Sequence, residues 1–441
     1  MTTPAVLVRT MLEQEAWALL TRLEGLRPFA LQETMVQSAA LSPAARIGID
    51  RHLLLGRREL AGQVRRFIRW LRTAGTRSAP AEQQRRFTLL RLRFNAVLSE
   101  LDLFSDAITQ RSEHGTGVWL SGLDVLAADA LELPAYYQAP PVVCYLDRGP
   151  GAAIRRARTR LPAGGDNPVA VIRVPRERMV GYGIASSLVH EVGHQVAALL
   201  DLVPSLRREL QARRRRSGPG QQLAWMSWER WISEIVADFW SVGKVGISST
   251  LGLIGVVSLP PWFVFRMTLD DPHPFPWIRV QLSCAIGDLL YPHPQWRELA
   301  KVWSELYPLA AIRPARRQAI EMLLRHVPAL VELLADHRPA SLRGASLPEV
   351  LPLTERRPEA LAAAWESWRR DRPAMASAAP SLVFAVIGQA RANGRVAARQ
   401  ESRLLGDLLT YWAVRGSFET AAPAPPAVLS RATRSADPVA V

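Results

Sequence analysis

Nearly every apolar run in this chain has helical spacing, and the exceptions fall in one short window. Pro141-Val-Val-Cys-Tyr-Leu146 and Val169-Ala-Val-Ile-Arg-Val174 are short, rich in β-branched residues and bordered by Gly/Pro turns at 149–151 and 163–168, which predicts two strands. A chain with so few strands must cover them with helices, so the expected fold is mainly α with a small β-sheet, an α+β arrangement. Helical spacing resumes from Tyr182 to Leu200 and stops before Pro204. This helix carries Leu188-Val-His-Glu-Val-Gly-His-Gln195. His190 and His194 are four residues apart, so a helix puts both imidazoles on one face, one turn apart. Two imidazoles so placed can bind one metal ion, and Glu191, just around the helix, can reach a water on that ion.

At 441 residues the chain is too long for one small core and suggests two or three domains. Residues 1–135 read as an N-terminal helical domain. Met11 to Glu24 has a helical apolar stripe, Ser42-Pro43 supplies N-cap and N1 residues, and Glu82 to Thr109 follows a linker at 73–80. The strands and the histidine helix fall in 136–300. Residues 301–416 return to helical spacing punctuated by Pro and Gly, and 417–441 read as a disordered tail. His52 and His114 are isolated, and His326 and His337, eleven residues apart, lack an acidic companion at ligand spacing.

Composition removes several classes of function. Fifty-five basic against 40 acidic residues give +15, almost all from arginine, since Lys244 and Lys301 are the only lysines. No stacking aromatics alternate with these residues on a strand, and no zinc-finger or recognition-helix signature occurs, so no specific nucleic-acid partner is expected. Arg213 to Arg216 reads as a solvated helix end. Cys144 and Cys284 have no ligand-spaced Cys or His and read as buried apolar residues. The N-terminus lacks a sustained apolar core, which makes the cytoplasm the default location. Val245 to Phe265 carries no charge over 21 residues, long enough to span a bilayer. Its glycines and the Pro260-Pro261 pair favour instead a buried helix ending near Ser258, with membrane association kept as the alternative.

A further helix, Gln222 to Trp240, carries Glu234 and Asp238 on one face among Trp, Ile, Val, Ala and Phe. Carboxylates in such apolar surroundings need a partner. A catalytic zinc takes three protein ligands and one open position, so Glu234 is the candidate third ligand beside His190 and His194. Asp238 is the candidate acceptor for the free N–H of a ligand imidazole. Downstream, Asp270-Asp-Pro-His-Pro-Phe-Pro-Trp-Ile-Arg279 is a rigid loop leading into another helix.

The set His190-Glu191-x-x-His194, Glu234-x-x-x-Asp238 and His273-Pro274 followed by Arg279 resembles the gluzincin metallopeptidases. It looks most like the group that includes CAAX prenyl endopeptidases and their bacterial heat-shock relatives. The resemblance covers roughly residues 140 to 280. It implies a zincin-like catalytic domain flanked by helical regions, one catalytic Zn2+ on His190, His194 and Glu234, and Glu191 as general base. It also implies that His273 and Arg279 line the site, and that the substrate is a peptide or protein. An edge strand in such domains pairs with the substrate backbone, and Val169 to Val174 is the candidate. The multiple membrane helices of well-known members are not evident, so their membrane role and prenyl preference are not expected. His293-Pro294 with Arg297 is a second candidate segment, and Tyr182 and Tyr291 are candidate phenol donors. Two alternatives remain: a zincin-scaffold binding protein with weak or no catalysis, and a membrane-associated protease using 245–265.

Overall fold

A computed structural model describes residues 4–25, 35–148, 151–161, 165–176, 182–268 and 271–421. Four helices come first: α1 (Pro4–Gly25), α2 (Pro43–Arg72), α3 (Pro80–Thr109) and α4 (His114–Leu131). Strands β1 (Val142–Asp147), β2 (Ala153–Arg155) and β3 (Ala170–Pro175) follow. The histidine helix is α5 (Tyr182–Leu199), and α6 (Leu202–Arg216) and α7 (Pro219–Val245) come next. The chain continues through α8 (Ile247–Val257), the single turn α9 (Pro261–Val264), α10 (Pro276–Leu290), α11 (Pro294–Leu306) and α12 (Pro314–Asp336). It ends with α13 (Leu347–Val350), α14 (Pro358–Trp368), α15 (Arg372–Ser377), α16 (Pro380–Ala392) and α17 (Ala398–Ala421). The protein is therefore mainly helical with one small sheet, as the sequence predicts. α17 runs past the expected boundary at 416, and the rest of the expected tail lies outside the described residues.

Proline placement explains much of this segmentation. α2, α3, α7, α10, α11, α12, α14 and α16 all begin on a proline. There the missing N–H costs nothing, because the first helical N–H groups have no intrahelical acceptor, and the fixed φ already suits a helix. At α2 the Ser42 hydroxyl also accepts the Ala45 N–H at 3.3 Å.

The sheet order is β1-β3-β2, with β1 parallel and β2 antiparallel to β3. Side chains alternate between its faces. Val142, Cys144 and Leu146 of β1 join a large core that includes α4, α5, α7, α8, α10 and α16. Val143 and Val171 face a second core built by α1, α2 and α3. Burial on both faces is why the two longer strands read as continuous apolar runs. β3 is thus the central strand, which corrects the expectation that 169–174 forms an edge: its neighbours on both sides already take its backbone hydrogen bonds. The outer edge of β1 is covered by side chains. Gln110 bonds both the N–H and the C=O of Leu146, at 2.7 and 2.8 Å. Asp124 accepts the Cys144 N–H at 2.7 Å, and Arg111 donates to the Cys144 carbonyl.

The uncharged stretch 245–265 divides into segments. Gly246, with φ 57°, ends α7 and lets the chain turn sharply into α8, which packs against α5, α7, α10 and α16. The α8 helix ends at Val257 and Ser258 caps it, as expected. Among the described residues no helix is long and apolar enough to cross a membrane.

Candidate metal centre and cleft

Three helices supply the site. α5 brings His190, Glu191 and His194, α7 brings Glu234 and Asp238, and α10 brings Arg279. The crossing of α5 and α7 is unusually close at Gly193, where a Cβ would stand 2.8 Å from both the Cα and the carbonyl oxygen of Ala237. Those are backbone atoms and cannot swing away, so the residue just before His194 has to be glycine for α7 to reach this position. Ala237 lies between Glu234 and Asp238 in sequence, and the close approach carries both carboxylates to the imidazoles.

His190 Nε2 lies 3.1 Å from Glu234 Oε2, and His194 Nε2 lies 3.4 Å from Glu234 Oε1. One donor atom from each of the three residues falls within 4.8 Å of the others. Two donors about 2.1 Å from an ion at a tetrahedral angle stand roughly 3.4 Å apart. The two imidazole–carboxylate distances are of that size, so the cluster could hold a metal ion. His190 Nδ1 donates to Asp238 Oδ1 at 2.8 Å, which leaves the lone pair of Nε2 for the ion side. Arg279 grips the same carboxylate with two bonds, Nε to Oδ2 at 2.7 Å and Nη2 to Oδ1 at 2.9 Å. His194 Nδ1 stands 3.4 Å from the Ser233 hydroxyl.

The charges in this cluster sustain one another. Burial disfavours the His190 imidazolium, yet the Asp238 and Glu234 carboxylates outweigh it and raise the group to about 10. Burial pushes Glu234 up, but hydrogen bonds from His190 and His194 hold its carboxyl well below the usual range. Asp238 behaves likewise: burial raises it, and Arg279 and His190 bring it far down. Asp238 in turn keeps the buried Arg279 firmly charged. Without a metal, a proton on His190 balances the second carboxylate, and an entering cation would replace it.

His190, Glu191 and Arg279 open onto a cavity of about 320 Å³ walled by α8, α9, the start of β2 and the 271–276 segment. The buried Glu191 carboxylate faces this cavity and makes no hydrogen bond or ion pair among the described residues. His273 is half exposed on the open side, with Nε2 3.4 Å from Glu234 Oε2. Asp271 orients it, accepting from the His273 backbone N–H at 3.0 Å and lying 2.8 Å from Nδ1.

All seven candidate residues are therefore brought together. The other candidates are not. His293 caps α11 by accepting the Gln295 N–H at 3.1 Å, and Arg297 lies 3.8 Å from Asp288. The Tyr291 hydroxyl is buried and donates to the Gly243 carbonyl at 2.6 Å. The side chain of Tyr182 is outside what is described. Both cysteines are free and buried, and burial pushes the Cys284 thiol up to about 12, so it stays protonated. The sequence reading missed Ser233 and Asp271. Asp271 had a signal, because an Asp two residues before a His can bond its backbone N–H. Ser233 had none. The chain matches no family model, no curated protein and no solved structure, so the chemistry of this site has to be argued from its own geometry.

Proposed function

We propose that this chain is a zinc-dependent hydrolase of peptide bonds, acting on peptide or protein substrates. One observation carries the reading: a buried His190/His194/Glu234 donor set with ion-sized spacing, next to the unpaired Glu191 carboxylate on the same cavity. His190, His194 and Glu234 would hold the zinc, which when bound supplies Lewis-acid chemistry, lowering the pKa of water to about 7 and polarising a carbonyl. Glu191 takes a proton from the attacking water as its oxygen joins the scissile carbonyl carbon. The same carboxyl then gives the proton to the leaving nitrogen as the C–N bond breaks. His273, on the open side, is placed to donate to the developing oxyanion. Arg279 is a positioning residue: it holds Asp238, which fixes the tautomer of His190, with two bonds, and its Nη2 also stands 3.3–3.4 Å from the His190 ring nitrogens and 3.9 Å from Glu234.

The backbone of a bound substrate would pair with β2 rather than β3. The outer edge of β1 is covered by Gln110, Arg111 and Asp124, while Gly151 and Ala152, leading into β2, line the cavity.

The test is zinc analysis of the wild type, Glu191→Gln and Glu234→Ala proteins alongside a peptide-library cleavage assay. Glu191→Gln should keep stoichiometric zinc and lose cleavage by about 10²–10⁴-fold. Glu234→Ala should lose the zinc. Full activity in Glu191→Gln would overturn the mechanism. Stoichiometric zinc in a wild-type protein that cuts nothing would favour a binding scaffold.

A further inference from the structure

The cavity beside Glu191 has a neighbour. A second cavity of about 190 Å³ lies between α7 and α12, lined by Leu223, Trp231, Met322 and Leu323. The two share a wall made of Arg266, Asp271, His273 and Phe275. Trp231 is one helical turn before Glu234, so the second cavity approaches the donor set along α7 as the first does along α5. The first has its polar groups, His190, Glu191 and Arg279, on the donor-set side and is closed on the α8–α9 side by Leu253, Val256, Val257 and Phe263; beyond the shared wall the second is apolar apart from Ser227 and Thr268.

The mouths are apolar too. Among large side chains in the described residues, Leu259 is 40% exposed and Trp262 69% at the α8–α9 rim, and Leu223 is 51% and Met267 40% exposed at the other opening. Apolar groups left in water around a concave site mark a surface that buries them when a ligand arrives.

We propose that the substrate is an extended polypeptide with a bulky apolar side chain on each side of the bond to be cut. One side chain enters the α8-walled cavity, the other enters the cavity between α7 and α12, and the backbone crosses the shared wall at His273. This rests on the peptide-hydrolase reading. The second cavity excludes charged side chains, because beyond the shared wall it offers no partner for a charge, and burying an unpaired charge is costly. In the first, the charged groups Glu191 and Arg279 belong to the donor-set side, and the α8–α9 side is apolar.

The experiment uses zinc-loaded full-length protein and two readouts. Cleavage of a peptide library randomised on both sides of the scissile bond is read by mass spectrometry. Binding of a fluorescent Leu/Phe-rich peptide, and of its Ala-substituted counterpart, is read by polarisation on Glu191→Gln. Replacing either flanking apolar residue with Ala should lower kcat/KM by on the order of tenfold or more. Met322→Trp, which fills the second cavity, should abolish the preference for large residues on one side of the bond only. Val256→Trp should do so on the other side only. Cleavage without flanking apolar preference would overturn this inference and leave the hydrolase reading intact. Binding that needs both apolar residues and responds to both variants, without cleavage by the wild type, would uphold the two apolar subsites and overturn hydrolysis. Neither cleavage nor binding would overturn both.

Discussion

Two buried Arg–Asp pairs sit in this molecule and have opposite effects on their carboxylates. Arg111 and Asp124, 2.9 Å apart, spend their remaining bonds on the backbone of β1. There burial dominates, and Asp124 is pushed above its ordinary value despite the arginine. Arg279 and Asp238, 2.7 Å apart, face an imidazole instead of a strand. Burial again opposes the charge, but Arg279 and His190 together overcome it, and Asp238 falls far below its ordinary value. A pair turned toward fixed backbone dipoles holds structure in place. A pair turned toward a titratable ring whose other nitrogen faces further donors sets up a site. Motif spacing alone does not distinguish them; the third partner does.

The comparison breaks most visibly through stability. Arg111→Ala leaves Asp124 buried without its partner and should cost about 3–5 kcal/mol in denaturant unfolding. Zinc bound per folded molecule should not change. Loss of zinc at full stability would mean that the β1 clamp is part of the site.

Lys244 sharpens the contrast as a buried cation with no carboxylate paired to it among the described residues. It donates to the Glu132 carbonyl at 3.2 Å and lies over the Trp240 ring. Burial lowers it from 10.5 to about 8. The unfolded chain therefore binds this proton more tightly than the folded one between those values, and stability should rise with pH across that window. The lysine costs roughly 3 kcal/mol below pH 8, by the conversion of about 1.4 kcal/mol per pH unit. Lys244→Met should abolish the rise, as measured by urea midpoints at pH 7.5 and 10.5. A variant with the same pH slope as the wild type would show that the ammonium is already well solvated.

Asp238→Asn keeps the shape of the second pair and removes its charge. Zinc affinity should fall about 10–100-fold in chelator competition, and an unchanged affinity would reduce Asp238 to packing. The smallest effect belongs to His293, whose ring caps α11. His293→Ala should lower stability by about 1 kcal/mol and leave zinc and cleavage untouched. His273→Ala should do the reverse, losing cleavage with little change in midpoint.

Much of this was legible in the residues. Helices declare themselves by period, and prolines mark where they begin. His190, His194, Glu234 and Asp238 could be paired by i,i+4 spacing because helix geometry is local. What stayed hidden is what depends on partners far along the chain. β2 is three residues just after a Gly-Pro-Gly sequence, too short to alternate, and without it β3 looked like an edge. The two His-Pro segments read alike, yet one borders Glu234 and the other begins a helix. No local pattern encodes that difference. Sequence spacing also gave no sign that the Arg279 guanidinium would hold Asp238 with two bonds while lying against His190 and Glu234.

Gly193 has a further consequence. The distance between the two helices is set by a residue with no side chain, against backbone atoms that cannot give way. Even a methyl group there would act as a spacer inserted between two rails, moving Glu234 and Asp238 away from the imidazoles together. The three candidate donors and the His190–Asp238 bond therefore share one mechanical tolerance, and a chain that drifts at position 193 gives up both at once while every one of those residues is still in its sequence.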